Sequence, residues 1–215
     1  MINKSQKTFD LGLTSKENTM LGIQAAIQAI PYVGSSIATL YFGYKQEIRF
    51  KRLEAFYLDL AKDIEKIKDI IKPILNHDKN ALVAIIEEVN EKVENEYLKE
   101  KIQYFKNYFK STLKNPVKKT NYDKRRYFLN VLASMTLLEC EILNLLYNTS
   151  NSIKVMDINR IENINLIIGV IERLKSYGFL TAHTTKISFG RDNRKDEEVK
   201  INEFGREFCK FCIID

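Results

Sequence analysis

Turn-forming residues are what this sequence lacks. Only 3 prolines and 8 glycines occur in 215 residues. That excludes a chain built largely of tight turns and, with Leu, Ile, Lys and Glu common, favours a mainly helical protein. There are 3 cysteines, an odd number that makes no disulfide framework, so a reducing cytoplasm is the expected compartment. Residues 1–16 are polar, lack the apolar segment of a signal peptide, and read as a loose N-terminal arm. No P-loop, Rossmann fingerprint or paired-histidine metal motif is present. His77 and His183 stand near no serine or cysteine nucleophile arrangement in the sequence. Cys209 and Cys212 form a C-x-x-C, but zinc needs two more ligands and only Cys140, His77 and His183 remain. The pair shares an apolar helix face with Phe208 and reads as core packing. The expectation is a protein that is not an enzyme and carries no cofactor or metal.

Charge is abundant and unevenly placed. The net charge is +6, yet residues 99–126 alone carry +8, while 1–44, 45–98 and 127–215 carry +1, −2 and −1. Only the middle segment therefore has an excess that seeks an anionic partner. By contrast, residues 18–44 run for 27 positions without a charge. Small residues (Gly22, Ala25, Ala26, Ala29, then Ser35, Ser36, Thr39, Gly43) flank a break at Ile30, Pro31, Tyr32, Val33 and Gly34. Pro31 cannot donate to a helix ladder and Gly34 tolerates a left-handed turn, so the stretch reads as a tight hydrophobic helical hairpin. Each arm is shorter than the roughly 20 residues of a membrane span. A buried hairpin is preferred. A hairpin in or on a membrane, with Lys45, Arg49, Lys51 and Arg52 at the headgroups, is the alternative.

Two long amphipathic helices should follow, packed antiparallel. The first runs without a breaker to Lys72, with Leu53, Phe56, Leu60, Ile64, Ile67, Ile71 and Ile74 as its stripe. After a loop at 76–79, the second spans about 80–113, with Leu82, Ile86, Val89, Val93 and Tyr97, then Ile102, Phe105, Phe109 and Leu113. Residues 17–114 are thus expected as one helical domain, suited to self-association or partner docking. The basic run is Lys106, Lys110, Lys114, Lys118, Lys119, Lys124, Arg125 and Arg126, interleaved with Tyr104, Tyr108, Tyr122 and Tyr127. Cations alternating with aromatics suit nucleic acid or an anionic surface, although most charge runs are simply solvated. Residues 115–122 read as a basic linker and domain boundary.

Residues 123–215 form the expected second domain. Asp123 is a candidate cap for a helix to Leu132, and Thr136 with Glu139 makes a capping box for a helix to Tyr147. A short helix from Asp157, a third from Asn163 to Ser176 ended by Gly178, a strand entered at Phe179 and Leu180, a hairpin of strands at 186–189 and 198–201, and a last helix at 203–213 complete the order. Helices followed by a two-stranded hairpin, with the phrases LLECEILNLLY, VIERLKSYGFLTAH and INEFGREFCKFC, resemble the winged helix-turn-helix family. That resemblance implies a third helix for the major groove and a wing on phosphate. Asn163, Asn165 and Arg173 are the recognition-helix candidates, of which Asn165 and Arg173 suit base edges. Glu172 and a wing tip with three positive and four negative charges at 191–198 oppose phosphate. Winged helices also bind proteins, and charge favours that use here.

The stretch IPYVGSSIATLYFGYKQEIRFKRLEAF together with residues 136–212 resembles, loosely, bacterial abortive-infection proteins of the alpha type. That resemblance implies a non-enzymatic accessory or phage-defence protein, and it transfers no functional residue. The expected function is a binding protein whose partner is a second copy of itself or another protein. The alternatives are a membrane-acting effector using the 18–44 hairpin on an anionic membrane surface, and a DNA-binding transcriptional regulator. The expected location is cytoplasmic, with membrane association under the effector reading.

Overall fold

The computed structural model describes residues 47–158, 163–183 and 193–214. The expected arm at 1–16, the hairpin with Ile30, Pro31, Tyr32, Val33 and Gly34, and the expected strand at 186–189 lie outside them. Among the described residues the protein is mainly helical, with seven α-helices and one small three-stranded antiparallel sheet near the C-terminus. The chain divides into two compact units, residues 1–68 and 69–215.

The described part of the first unit is α1 (Glu47–Ile67). Leu53, Phe56, Leu60 and Ile64, spaced three and four apart, are buried as one stripe, joined by Tyr57. The charged face is solvated and held by short-range pairs, Lys66 to Asp63 at 3.2 Å and Lys68 to Glu65 at 2.7 Å. A single 3₁₀ turn (Lys68–Ile70) ends the helical run before Pro73.

In the second unit, the single helix expected at 80–113 is two: α2 (Lys79–Asn95) and α3 (Lys99–Lys114). No proline or glycine marks the break. Glu96 leaves the helix with extended backbone, and its carboxylate accepts from the Tyr97 and Leu98 amides at 2.9 and 3.0 Å. Lys101 then reaches across to donate to the Ala133 and Met135 carbonyls at 3.0 and 2.6 Å, with Glu96 3.6 Å away. A buried lysine with three oxygens around it outweighs a helix propensity worth a few tenths of a kcal/mol per residue.

Residues 115–122, expected as a linker, lie inside this unit. Val117 is fully buried, and its amide donates to His77 Nδ1 at 3.2 Å. Helix α4 (Lys119–Ser134) starts four residues before Asp123, because the Asn121 side chain takes the Lys118 amide at 2.9 Å and holds the Pro116 carbonyl at 3.1 Å. Helix α5 (Leu137–Tyr147) begins at the capping box, with Glu139 N–H to Thr136 Oγ1 at 3.2 Å and Thr136 N–H to Glu139 Oε2 at 2.6 Å.

Strand β1 (Ile153–Lys154) and helix α6 (Ile164–Ser176) follow. Gly178 sits at φ 74°, and the Gly178 and Phe179 amides return to Lys175 and Leu174, a left-handed helix stop. The sheet order is β1-β3-β2, with β2 (Leu180–His183) and β3 (Glu198–Ile201) paired from Leu180 opposite Ile201 to His183 opposite Glu198. Helix α7 (Glu203–Phe208) runs on into a π turn (Cys209–Ile213) closed by Ile214 N–H to Cys209 O at 2.9 Å.

An aromatic cluster sits within the largely aliphatic core of this unit. Phe179 stacks on Phe208 at 4.5 Å, Phe128 meets Phe208 edge-on at 5.3 Å, and Phe211 meets Tyr108 edge-on at 5.3 Å. Gly205 lies where a β-carbon would stand 2.5 Å from the Phe179 carbonyl oxygen and 2.8 Å from Ile201. Gly169, on α6, would meet nothing within 4 Å. In urea unfolding, Gly205→Ala should lose roughly 1–3 kcal/mol by overpacking, whereas Gly169→Ala should gain about 0.4–1 kcal/mol. Equal effects at the two sites would contradict this packing.

Candidate functional site

The basic run does not form one continuous patch. Lys106 and Lys110, one turn apart on α3, are buried and engaged by neighbours. Lys114 is half-buried, and Lys118, Lys119, Lys124 and Arg126 are exposed. Two of those exposed cations have carboxylate partners: Lys124 with Glu207 at 2.6 Å, and Arg126 Nε with Glu88 at 2.6 Å. The interleaved tyrosines are largely structural. Tyr108 is fully buried and donates to the Arg125 carbonyl at 3.0 Å, and Tyr127 donates to the Tyr177 carbonyl at 2.9 Å. Arg126 stands 5.8 Å from the Tyr122 ring.

Arg125 points inward. It is 7% exposed, its guanidinium carbon lies 4.0 Å from the Phe211 ring centroid, and one weak hydrogen bond runs from Nη2 to the Asn115 carbonyl at 3.4 Å. Its Nε and Nη1 are buried without an acceptor among the described residues. Burial holds this guanidinium below its ordinary value, against the opposing pull of Tyr108 and Glu207. The signal was present in the sequence: Arg125 extends the Phe128, Leu129, Leu132 stripe backward at helical spacing.

The recognition-helix candidates share α6 without making a base-reading surface between them. Asn163 is its N-cap, with Oδ1 accepting from the Asn165 amide at 2.9 Å. Asn165 is exposed. Arg173 is held by Glu139, a carboxylate only 1% exposed, at 2.9 Å, and also donates to the Ser134 carbonyl at 3.1 Å and to the Tyr177 hydroxyl. Lys175 sits between Glu172 and Glu197, each at 2.9 Å. The pairing of Arg173 with Glu139 escaped sequence reasoning, because the two lie on different helices and Glu139 reads as a cap.

The three cysteines are buried and carry no disulfide. Burial pushes the Cys140 and Cys209 thiols up to about 12 and Cys212 well above its ordinary value, so all three stay protonated. Among the described residues no three His, Cys, Asp or Glu side chains gather where a metal ion would fit. His77, read as a loop residue, is buried. Comparison of the chain with family models, curated proteins and solved structures gives no match.

His77 carries a pH prediction. Burial first, and Arg125 second, lower its pKa below the ordinary 6.5. The folded state thus binds fewer protons than the unfolded state, and stability falls as pH drops below about 6.5. His77→Asn keeps an acceptor for the Val117 amide and removes the titration. Urea midpoints taken from about pH 7 to about pH 5 should fall more steeply for the wild type than for this variant. Parallel slopes would mean that His77 takes up its proton freely.

Proposed function

We propose that this chain is a non-enzymatic binding protein whose C-terminal part is a winged-helix-like module that contacts protein rather than reading DNA. The element order α5, β1, α6, β2, β3, with sheet order β1-β3-β2, supports the winged-helix part of this reading. The observation that carries the choice of partner is the Glu139–Arg173 pair. It ties down the one arginine on the helix that would enter the major groove, and Glu172 and Glu197 do the same for Lys175. The exposed residues of α6 that remain include Asn163, Asn165, Leu166 and Gly169, a face with a leucine and no available cation.

The resemblance to abortive-infection proteins suggests a bacterial defence setting, and the amphipathic stripes of the helical half suit self-association or partner docking. No single described helix is long and apolar enough to cross a membrane, one bent pair (α4 with α5) passes on length and composition alone, and the 18–44 stretch of the membrane-effector reading lies outside the described residues.

Fluorescence anisotropy with duplexes of several unrelated sequences, at low and at physiological salt, separates the protein-contact and DNA readings. The expected outcome is weak, sequence-independent binding that salt abolishes, unchanged by Asn165→Ala. Binding tighter by a thousandfold or more to one sequence, and lost in Asn165→Ala, would make the module a DNA reader.

A further inference from the structure

The end of α3, the first turns of α4 and the π turn after α7 enclose a cavity of about 290 Å³. Arg125, Lys124, Lys210, Asn115, Glu207 and Phe211 are among its walls. Three cations face one carboxylate, and that carboxylate is bound to Lys124 at 2.6 Å. Arg125 and Lys210 therefore have no counter-charge within ion-pair distance among the described residues. For Lys210, which is exposed, water suffices. For Arg125 it does not: the residue is more than nine-tenths buried, and two of its three guanidinium nitrogens are buried without an acceptor among the described residues. Removing a cation from water without a partner is unfavourable, so a position like this calls for an anion.

We infer that this cavity is a binding site for a small phosphate monoester, with Arg125 as its principal ligand and Lys210 as the second cation at its mouth. Charge points to the phosphate. Two uncompensated cations match a group carrying about −1.5 to −2 at neutral pH, whereas a carboxylate would leave one of them unpaired. Geometry agrees, since a guanidinium presents a planar fork of donors suited to phosphate oxygens. Phe211 holds that plane from one side at 4.0 Å. The cavity exceeds what a bare phosphate fills, and its aromatic wall gives the organic part of the ester an apolar surface. The site involves neither α6 nor the sheet, so it does not depend on the winged-helix reading.

Isothermal titration calorimetry of the full chain with ribose 5-phosphate, inorganic phosphate and sodium acetate, at matched ionic strength, tests the assignment. Both phosphates should bind, ribose 5-phosphate more tightly, with no heat from acetate. Lys210→Gln changes an exposed side chain and leaves the core intact, and it should weaken phosphate binding about tenfold. Arg125→Met keeps the buried volume and should abolish binding. If it fails to fold, Lys210→Gln still decides. Acetate binding as well as phosphate, no binding of either phosphate, or unchanged affinity in Lys210→Gln would overturn the proposal.

Discussion

Stacking of Phe179 on Phe208, with Phe128 set edge-on against the same ring, is the contact on which the second unit depends. It joins the end of α6, the middle of α4 and the last helix, three segments far apart in sequence. The Phe179 backbone is fixed in the same place, since its carbonyl accepts from the Asn202 amide at 3.0 Å and presses against Gly205. Any side chain at 205 would lift α7 from the sheet and separate the rings. Tyr108 and Phe211 extend the cluster to α3, and Asn107 secures it with a 3.0 Å hydrogen bond to the Ile213 carbonyl. These rings lie within a core that is otherwise mainly Leu, Ile and Val, and their large faces add to its burial.

Some of the charge of this unit lies in its interior. Lys101 and Arg125 are buried, the first among carbonyls and the second against an aromatic ring. Such groups fix geometry more than they add stability, because each must recover its lost hydration. A net charge of +6 therefore overstates the positive surface a polyanion would meet. Part of the basic excess belongs to the interior.

Features governed by neighbours a few residues away were legible in the sequence. Thr136 and Glu139 set the start of α5, Gly178 stops α6, and the stripe from Leu53 to Ile64 is buried as its spacing implies. Features governed by distant partners were not. The break between α2 and α3 depends on carbonyls more than thirty positions along the chain, and the early start of α4 depends on one asparagine side chain. The basic segment was read as a surface because lysine and arginine are seldom buried. Arg125 departs from that rule, and its place in an apolar stripe was the available clue. The linker reading at 115–122 failed similarly: proline and lysines suggest a solvated connection, while Val117 and His77 tie it into the core.

The Lys101 anchor also bears on how this unit assembles. Its acceptors, the Ala133 and Met135 carbonyls, belong to the last residues of α4 and the start of the next turn. The turn at residues 96–98 is therefore not a local folding event. Until α4 docks, residues 79–114 have no strong reason to bend, and their intrinsic preference is one continuous helix. The bend and the docking form together. Amide protons near Leu98 and near Met135 should accordingly exchange with solvent through a common opening rather than by independent fraying of two helix ends.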